Sequence, residues 1–494
     1  MNKYCKLSPN LKVSRIITGL WQIADMEKDG SSLDLNETAK CMKPYVDAGI
    51  TTFDMADHYG SAELIAGSFR NNLSKEPIQL LTKWVPDPEQ KTRQDVRSAV
   101  GRSLDRMQSE AIDLMQFHAW NYANPYWIDC LFWLQELKEE GLIKNIGLTN
   151  FDSAHLRIAL NSGVEIISNQ VSHSLLDQRA GSKMSEVCQE FNIKLLVFGV
   201  LAGGFLSEKW LGLPEPSSKH LTTWSQMKYK RYIDATGGWE QFQKLLNTLQ
   251  KVSEKHQSQI PIIAMKYIMD KPSVGAIIVG ARLGENDHIK DNMKVFDINL
   301  DEDDINLIEN EQRQLIPISG DCGDEYRNAP ILTAAGDLTH HFDALPKPYK
   351  SIEITKNRNT VNSGTLWEDL AGYSRAVKKD NYIAISGTTA THGERVIGGN
   401  DAIAQTHFII DKIEGSIESL GGTLKDVIRT RIFIKNININ PFYLFGNRNR
   451  DFLLKNKKNL NTILKKFFKS KKNNNVRKII LNDFCKFSNI RNYL

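Results

Sequence analysis

Residues that can exchange protons follow three apolar runs in the first 120 residues of this 494-residue chain. The stretch ITTFDMADHY contains Asp54 and ends with Tyr59, Lys83 comes near the end of IQLLTKW, and His118 ends IDLMQFH. A phenol has a pKa of about 10, so a tyrosine needs a nearby ammonium to become a good acid near neutral pH. A carboxylate keeps a buried lysine charged, and a histidine orients the acceptor or relays the proton. The set predicts proton donation to a carbonyl oxygen, and because it supplies no hydride, a reduced cofactor is implied.

Each of these residues alone is more often a surface salt bridge or a packed core residue. Their joint occurrence at successive strand ends makes coincidence much less credible. The predicted strands are continuous apolar runs, which indicates burial on both faces and therefore a parallel sheet. Eight such runs alternate with helical patterns over the first 300 residues, at 15–21, 50–55, 78–84, 112–118, 144–149, 165–172, 193–200 and 276–280.

Eight strand–helix units in about 300 residues predict an α/β fold, a (β/α)8 TIM barrel, which needs about 250 residues. An open doubly wound sheet would place a G-x-G-x-x-G turn after an early strand, and the sequence has none. In a barrel the carboxyl ends of the strands meet at one face, which would bring the four proton-exchanging residues together. Helices are predicted at Ser61–Leu73, Gln94–Met107, Ile128–Glu140 and Lys183–Phe191.

The composition is that of a globular chain of two or three domains, with 41% hydrophobic and 24% charged residues. The net charge of +5 is unevenly distributed, because residues 441–494 alone carry +12 and the remainder carries −7. The basic character thus belongs to one Asn/Lys-rich stretch. We expect no nucleic-acid partner for the acidic part of the chain.

Six separated cysteines without a C-x-x-C pair indicate neither a disulfide framework nor a zinc site. We therefore expect a reducing, cytoplasmic location and no metal. The pair His340–His341, flanked by Asp337 and Asp343, has no further spaced ligands. The longest uncharged apolar run, Leu195–Leu206, is too short to span a bilayer, so no membrane association is expected.

The second part of the chain has a different pattern. Residues 317–351 are rich in Pro and Gly and read as a linker or irregular arm. Strands are predicted at Tyr382–Gly387 and Val427–Lys435, and an amphipathic helix at Asp401–Leu420, ended by Gly421-Gly422. The expected domains are 1–316, a barrel; 317–351, a linker; 352–440, a smaller α+β domain; and 441–494, a basic tail that we expect not to belong to the fold.

Residues 5–315 resemble the aldo-keto reductases. The motifs that carry this resemblance are FDMADHYG, LLTKW, DLMQFHAW, GLTNF, SNQVS and VFGVLAGG. The resemblance implies that Asp54, Tyr59, Lys83 and His118 are catalytic and that the hydride comes from NADP(H), with NAD(H) as the alternative. Phe198 stands where the family commonly has a tyrosine against the nicotinamide.

The resemblance also assigns a cofactor site and a substrate pocket. Arg282 is the candidate for binding the 2′-phosphate of NADP, because His288 occupies the position at which some members have an arginine. The substrate pocket would be lined by Trp21, Trp84 and Trp120, although packing at the barrel rim explains Trp84 equally well. The implied cofactor-binding residues are Thr149, Asn150, Gln170, Phe198, Gly199, Val200, Gly280, Ala281, Arg282, His288, Asp291 and Asn292.

Residues 352–440 resemble the RidA family of enamine/imine deaminases, a chorismate-mutase-like α+β fold that is usually trimeric. The resemblance rests on AGYSRAV, NYIAISG and the helix-containing stretch from Ala404 to Asn438. Tyr373 matches a pocket residue, but the arginine that binds the substrate carboxylate and the last strands are absent. We therefore expect an incomplete domain without deaminase activity, through which the chain could oligomerise.

Three functions are compatible with these patterns. The leading one is an NADP-dependent reductase of a small carbonyl compound, with Tyr59 as general acid/base. The alternatives are an NAD(P)+-dependent dehydrogenase of a sugar or pyridoxal-like alcohol, and a regulatory or scaffolding subunit built on a cofactor-binding barrel. We expect the basic tail to be sequence that is foreign to the fold. The alternatives are an arm that binds nucleic acid or a membrane, and a solvated low-complexity tail.

Overall fold

Eight parallel strands hydrogen-bond side by side and close into a barrel. The last strand pairs with the first, with Ile277 opposite Ile16, so the sheet has no free edge. The computed structural model describes residues 2–285, 288–327, 332–333 and 344–433. The chain forms two compact units, the first made of Met1–Trp120, Cys130–Leu156 and Glu165–Ala344, and the second of Asn121–Asp129, Arg157–Val164 and Leu345–Leu494.

The strands and helices are numbered in chain order. The strands are β1 (Tyr4–Ser8), β2 (Leu11–Ser14), β3 (Ile16–Gly19), β4 (Thr52–Asp54), β5 (Gln79–Trp84), β6 (Leu114–Phe117), β7 (Ile146–Thr149), β8 (Ile166–Ser172), β9 (Lys194–Phe198), β10 (Val274–Gly280), β11 (Ser351–Thr355), β12 (Arg358–Val361), β13 (Ala376–Lys379), β14 (Tyr382–Ile385), β15 (Thr391–His392) and β16 (Arg395–Val396). The helices are α1 (Trp21–Met26), α2 (Leu35–Lys40), α3 (Lys43–Asp47), α4 (Ala62–Ser68), α5 (Arg93–Met107), α6 (Tyr126–Glu139), α7 (Ser153–Asn161), α8 (Lys183–Glu190), α9 (Trp224–Ala235), α10 (Gly238–Lys255), α11 (Ile260–Met269), α12 (Ile289–Met293), α13 (Glu302–Gln312), α14 (Asp324–Arg327), α15 (Leu366–Leu370) and α16 (Ala402–Ser419).

All eight predicted barrel strands are confirmed as β3 to β10. The helices follow their sequence signals as well. Thr92 caps α5 in a capping box with Asp95, and Gly141, with φ of 88°, follows α6 in the left-handed conformation that ends a helix. The predicted helix at Ser61–Leu73 is α4 continued by one π-helical turn.

An antiparallel hairpin, β1–β2, closes the barrel at the amino ends of its strands. The backbone N–H of Ser14 donates to Oγ1 of Thr52, the first residue of β4, at 2.9 Å. Apolar side chains of the hairpin then fill the barrel interior, which we call the barrel floor. The buried residues of the barrel floor are Leu7, Leu11, Val13, Ile17, Leu81, Leu114, Leu196, Ala276 and Ile278.

The second unit contains a four-stranded antiparallel sheet in the order β11-β12-β13-β14 and the small pair β15–β16. Helix α16 is capped by Asp401, whose side chain accepts from the N–H of Ala404, and ends before Gly421 with φ of 81°. The predicted helix at Asp401–Leu420 and the strand at Tyr382–Gly387 are thus present, the strand as β14. The core of the sheet is formed by Tyr349, Val361, Ala376 and Leu420.

A buried ion pair lies beside this sheet. Arg375 Nε is 2.9 Å from Glu368 Oε1, and Arg375 Nη2 donates to the hydroxyl of Tyr373 at 3.0 Å. Tyr373, which the family resemblance matched to a pocket residue, is therefore hydrogen-bonded to Arg375, two residues further along the chain. Arg375 donates hydrogen bonds to the Glu368 carboxylate and to the carbonyl oxygen of Gly387, the latter at 2.6 Å. Its charge is therefore paired within the fold.

Some predicted features differ from the structure or lie outside it. The strand predicted at Val427–Lys435 is not formed over 427–433, where the chain has no regular secondary structure. Residues 434–435, the tail 441–494 and the pair His340–His341 lie outside the described residues. The segment 317–327, predicted as a linker, belongs to the first compact unit. Within the described part of the chain, no helix combines the length and apolarity needed to cross a bilayer.

The barrel floor generates a stability prediction. Replacing Leu114 with Ala removes a fully buried side chain from close-packed neighbours, so we expect the free energy of unfolding to fall by about 2–5 kcal/mol. Urea unfolding followed by tryptophan fluorescence measures this change. The same replacement at Leu213, which is 47% exposed, should change it by less than about 0.5 kcal/mol. Equal losses in the two variants would contradict the role of the floor.

Candidate active site

A buried ion pair occupies the carboxyl end of β4 and β5. Lys83 Nζ lies 2.6 Å from Asp54 Oδ2 and donates a second hydrogen bond to the carbonyl oxygen of Met55 at 2.7 Å. Burial lowers the pKa of Lys83, whereas the hydrogen-bonded carboxylate of Asp54 opposes that shift. The predicted contact between a carboxylate and a buried lysine is therefore present in the structure.

Two glutamine side chains complete the surroundings of Asp54. Gln116 Nε2 and Gln170 Nε2 donate to Asp54 Oδ1 at 3.0 and 2.7 Å, and Gln170 Nε2 also donates to Gln116 Oε1 at 2.9 Å. Gln170 was predicted to bind the cofactor; it lines the cavity, but its amide nitrogen is engaged by Asp54. Gln116 was not predicted, although a glutamine inside the apolar run LMQF was a visible signal.

Tyr59 follows β4 and presents its ring to the ion pair. Lys83 Nζ lies 4.9 Å from the centroid of the Tyr59 ring. The pKa of Tyr59 is raised well above its usual value, first by burial and then by the negative charges of Asp54 and Asp57. The net shift is therefore opposite to the lowering that we expected from a nearby ammonium, because burial is its largest cause. Tyr59 remains a neutral phenol and can donate a proton.

His118 ends β6 and lies against the same cavity. Its Nδ1 is 3.4 Å from the carbonyl oxygen of Thr149, and because a carbonyl oxygen only accepts, this contact places the proton on Nδ1. The indole of Trp120 packs edge-on against the imidazole, with centroids 4.5 Å apart. The ring of His118 is thus fixed between β7 and an aromatic wall.

One cavity of about 740 Å³ joins these side chains to the predicted cofactor residues. Its wall holds all four proton-exchanging residues, Asp54, Tyr59, Lys83 and His118, together with Trp21 and Trp120. Trp84 does not belong to this wall; it is buried against Phe117, with centroids 5.4 Å apart, which is the packing role. All the predicted cofactor residues line the cavity, namely Thr149, Asn150, Gln170, Phe198, Gly199, Val200, Gly280, Ala281, Arg282, His288, Asp291 and Asn292.

Buried polar atoms of this wall fit a nicotinamide dinucleotide. Asn150 has a positive φ of 58°, and its buried Oδ1 accepts no hydrogen bond from the described residues. An amide N–H of a carboxamide group would satisfy that oxygen. Next to Gly280, at the end of β10, the buried Oε1 of Gln22 likewise accepts no hydrogen bond from the described part of the chain. A side chain at position 280 would clash with Gln22 at 2.2 Å, so glycine keeps this wall open.

Arg282 is held by two carboxylates. Its Nη1 lies 2.8 Å from Asp25 Oδ2, and its Nε and Nη2 face the carboxylate of Glu285. The pairing raises the pKa of Arg282. It also compensates the positive charge that we expected to bind the 2′-phosphate of NADP. Asp25 lines the cavity and was not predicted from the sequence.

A short segment after the barrel, residues 321–327, completes the cavity; we call it the cap segment. Arg179 Nη1 lies 2.8 Å from Glu325 Oε2, and Arg327 donates to the carbonyl oxygens of Ala119 and Asn150 at 3.1 and 2.8 Å. The cap segment places Tyr326 in the cavity wall, and α9 places Lys228 beside it. Neither residue was predicted, because neither lies at a strand end.

The family comparison agrees with this geometry. Residues 15–312 match the aldo/keto reductase family, and residues 367–443 match the family described as endoribonuclease L-PSP. The chain belongs to the aldo/keto reductase family and carries a RidA-like domain in the same polypeptide. It is an oxidoreductase of carbonyl and alcohol groups that uses NAD(P)(H).

Individual relatives are distant. The chain is 24% identical over 322 residues to the NADH-specific methylglyoxal reductase of Escherichia coli, covering 60% of this chain and 94% of that protein. It is 25% identical over 290 residues to the chloroplastic pyridoxal reductase of Arabidopsis thaliana, covering 54% and 76%. The solved structure of a glycerol dehydrogenase from Gluconobacter oxydans superposes with a TM-score of 0.54 at 20% identity, covering 65% of this chain and 98% of that one, which supports the fold.

The charges around Lys83 generate a pH prediction. Asp54 raises the pKa of Lys83, so Asp54→Asn should lower it and move the basic limb of the pH dependence of kcat/KM to lower pH. Asp57→Asn should move it in the same direction by less, since Asp57 contributes less to the pKa of Lys83. The exposed Asp47→Asn variant serves as the control. A basic limb unchanged in Asp54→Asn would contradict the role of the pair, and circular dichroism checks that each variant is folded.

Proposed function

We propose that this chain reduces a small carbonyl compound with a nicotinamide cofactor, and that Tyr59 is the general acid. The observation that carries the proposal is the convergence of Tyr59, Lys83 and His118 on a single cavity that extends to Arg282. The cofactor would supply the hydride. The chain's own residues would orient the carbonyl group and provide the proton that the oxygen acquires.

Each side chain has a distinct part in this proton transfer. The neutral phenol of Tyr59 donates its proton, and the Lys83 ammonium near the ring stabilises the negative charge that remains on the phenolate. The Asp54 carboxylate keeps Lys83 protonated despite its burial. His118, held through Nδ1, directs its other face toward the cavity and orients the carbonyl oxygen. In the reverse direction the same residues would remove the proton from an alcohol.

We assign cofactor binding to a second group of residues in the cavity wall. Asn150 Oδ1 and Thr149 are suited to a carboxamide group, and Phe198 offers an aromatic face for stacking. Asp291 and Asn292 in α12 would contact the adenine, as the family resemblance implies. These assignments follow from the family resemblance and are supported by the shared cavity.

Removing the Tyr59 hydroxyl tests the proposed acid. Tyr59→Phe keeps the ring, so cofactor affinity should persist while kcat for aldehyde reduction falls by about 100-fold or more. NADH or NADPH oxidation measures turnover, and fluorescence titration measures cofactor binding. Tyr382→Phe, at a residue 75% exposed in the second unit, is the matched control.

A turnover number retained in Tyr59→Phe would refute the assignment. Absence of turnover by the unmodified protein on a panel of aldehydes, ketones and sugars, combined with tight cofactor binding, would favour the regulatory-subunit alternative. Net alcohol oxidation in the same panel would support the dehydrogenase alternative with the same catalytic residues.

The sequence favoured NADP(H) as the cofactor because Arg282 could bind the 2′-phosphate. The two carboxylates that compensate Arg282 lead us to propose NAD(H) instead, because Asp25 and Glu285 would repel a 2′-phosphate and can accept hydrogen bonds from ribose hydroxyls. The similarity to an NADH-specific reductase supports the same choice.

Glu285→Gln tests this choice of cofactor. Loss of one carboxylate should leave Arg282 with surplus positive charge and raise the affinity for NADPH relative to NADH by about 10-fold. Fluorescence titration with both cofactors gives the ratio of the two dissociation constants. Glu240→Gln, on the exposed face of α10, removes an equal charge elsewhere. A preference for NADPH in the unmodified protein, unaltered by Glu285→Gln, would contradict the proposal.

A further inference from the structure

A lysine and a tyrosine with no role in the mechanism above face the cavity together. Lys228 on α9 is buried, with 5% of its surface exposed, and its Nζ donates to the hydroxyl oxygen of Tyr326 at 2.7 Å. Both residues belong to the cavity wall. An ammonium carries three N–H donors, so this hydrogen bond leaves two of them for other acceptors.

The surroundings of the Lys228 ammonium are mainly aromatic. Its Nζ lies 4.9 Å from the ring centroids of Phe198 and Tyr326 and 5.5 Å from that of Tyr229. In the part of the chain that the structure describes, no carboxylate oxygen comes within 4 Å of this nitrogen. Ring faces attract a cation, but they replace lost hydration only in part.

More distant charges also act on the Lys228 ammonium. Burial lowers the pKa of Lys228 to about 8, Glu325 and Asp177 oppose the shift, and Arg179 adds to it. Arg179 itself is paired with both acids, at 2.8 Å from Glu325 and 2.7 Å from Asp177. The two carboxylates together balance the charges of Arg179 and Lys228, but their close contacts are with the guanidinium, so the ammonium itself has no ion pair at contact distance within the described residues.

The site lies next to the proposed proton donor. The ring of Tyr326 is 5.9 Å from the ring of His118, and Tyr59 is close enough to Tyr326 to raise its pKa. The cap segment fixes Tyr326 in this position through Arg327 and Glu325, and a side chain at Gly323 would overlap the carbonyl oxygen of Asn150. Lys228 and Tyr326 thus form a pair of donors in the same cavity wall as His118 and Tyr59.

We propose that Lys228 and Tyr326 bind the carboxylate of the substrate, so that the chain acts on oxo acids in reduction and on hydroxy acids in oxidation. The inference rests on the proposed function and adds its substrate class. A carboxylate accepts hydrogen bonds from both the ammonium and the phenol, and it would form the direct ion pair that the ammonium does not make with the described residues. A neutral carbonyl compound cannot form that ion pair.

Matched substrates separate the carboxylate from the rest of the molecule. We would compare 4-carboxybenzaldehyde with 4-carbamoylbenzaldehyde, and succinic semialdehyde with its primary amide, since each pair has one shape and differs in charge. The ratio of kcat/KM for the acid to that for the amide should exceed one in the unmodified protein. It should fall by about 10- to 100-fold in Lys228→Met and by about 10-fold or less in Tyr326→Phe, which keeps the cation.

Lys244→Met is the matched control, because it removes an exposed positive charge on α10 while the ratio should stay constant. Affinity for 4-carboxybenzaldehyde in the presence of NAD+, which cannot reduce it, is measured by calorimetry and should fall in Lys228→Met as the ratio does. Affinity for NADH, measured by fluorescence, distinguishes a cofactor ligand from a substrate ligand.

A ratio near one in the unmodified protein, or an unchanged ratio in both variants, would overturn the inference. A loss of NADH affinity in Lys228→Met without a change of the ratio would overturn it as well. Turnover of the neutral aldehydes with no preference for the acids would remove this inference and leave the proposed function intact. Absence of turnover on all four compounds, with acid binding lost in Lys228→Met, would remove the proposed function and leave the carboxylate site.

Discussion

The interaction on which the site depends is the Asp54–Lys83 ion pair inside the barrel. Removing two opposite charges from water costs several kcal/mol for each ion, and their attraction compensates only when the remaining donors and acceptors are satisfied. Here Gln116, Gln170 and the carbonyl oxygen of Met55 satisfy them. The two glutamines come from β6 and β8, so the pair is stable only when these strands are in register around a closed barrel.

The register itself shows this dependence. Lys83 lies directly opposite Gln116 across the β5–β6 ladder, and Thr149 lies opposite Gln170 across β7–β8. A slip of one residue in either ladder would turn these side chains to the other face of the sheet. The strand pairing that defines the fold therefore also positions the charges, and the ring of Tyr59 lies against the Lys83 ammonium of this pair.

The sequence predicted the barrel well because each strand is a continuous apolar run, and the proposed catalytic residues lie at or shortly after the ends of three of them. It did not predict β1–β2, since the stretch 4–14 is short and half polar, and only the open end of the barrel explains its burial. Lys228 and Tyr326 were missed for a related reason. They reach the cavity from a helix and from the cap segment, whose positions depend on tertiary contacts of Arg179 and Arg327 and not on any local pattern.

The predicted environment of Tyr59 was wrong in one respect for an equally physical reason. Spacing alone places an ammonium near the phenol, but only the structure gives the burial that outweighs it. The same applies to Arg282, whose charge is visible in the sequence while its two carboxylate partners come from positions 25 and 285. The pairing with Asp25, 257 residues away in sequence, is of the kind that residue types and spacing leave undetermined.

The cap segment also bears on the order in which the protein is made. All eight barrel strands have been synthesised by Gly280, whereas the wall that holds Tyr326 is added more than forty residues later. A nascent chain can thus close its sheet and bury the ion pair while the cavity is still open on one side. Arg179 and Asn150, which contact Glu325 and Arg327 of the cap segment, are synthesised before it. The cap segment can therefore pack against residues that are already present. The wall that holds Tyr326 is therefore the last described part of this cavity to leave the ribosome.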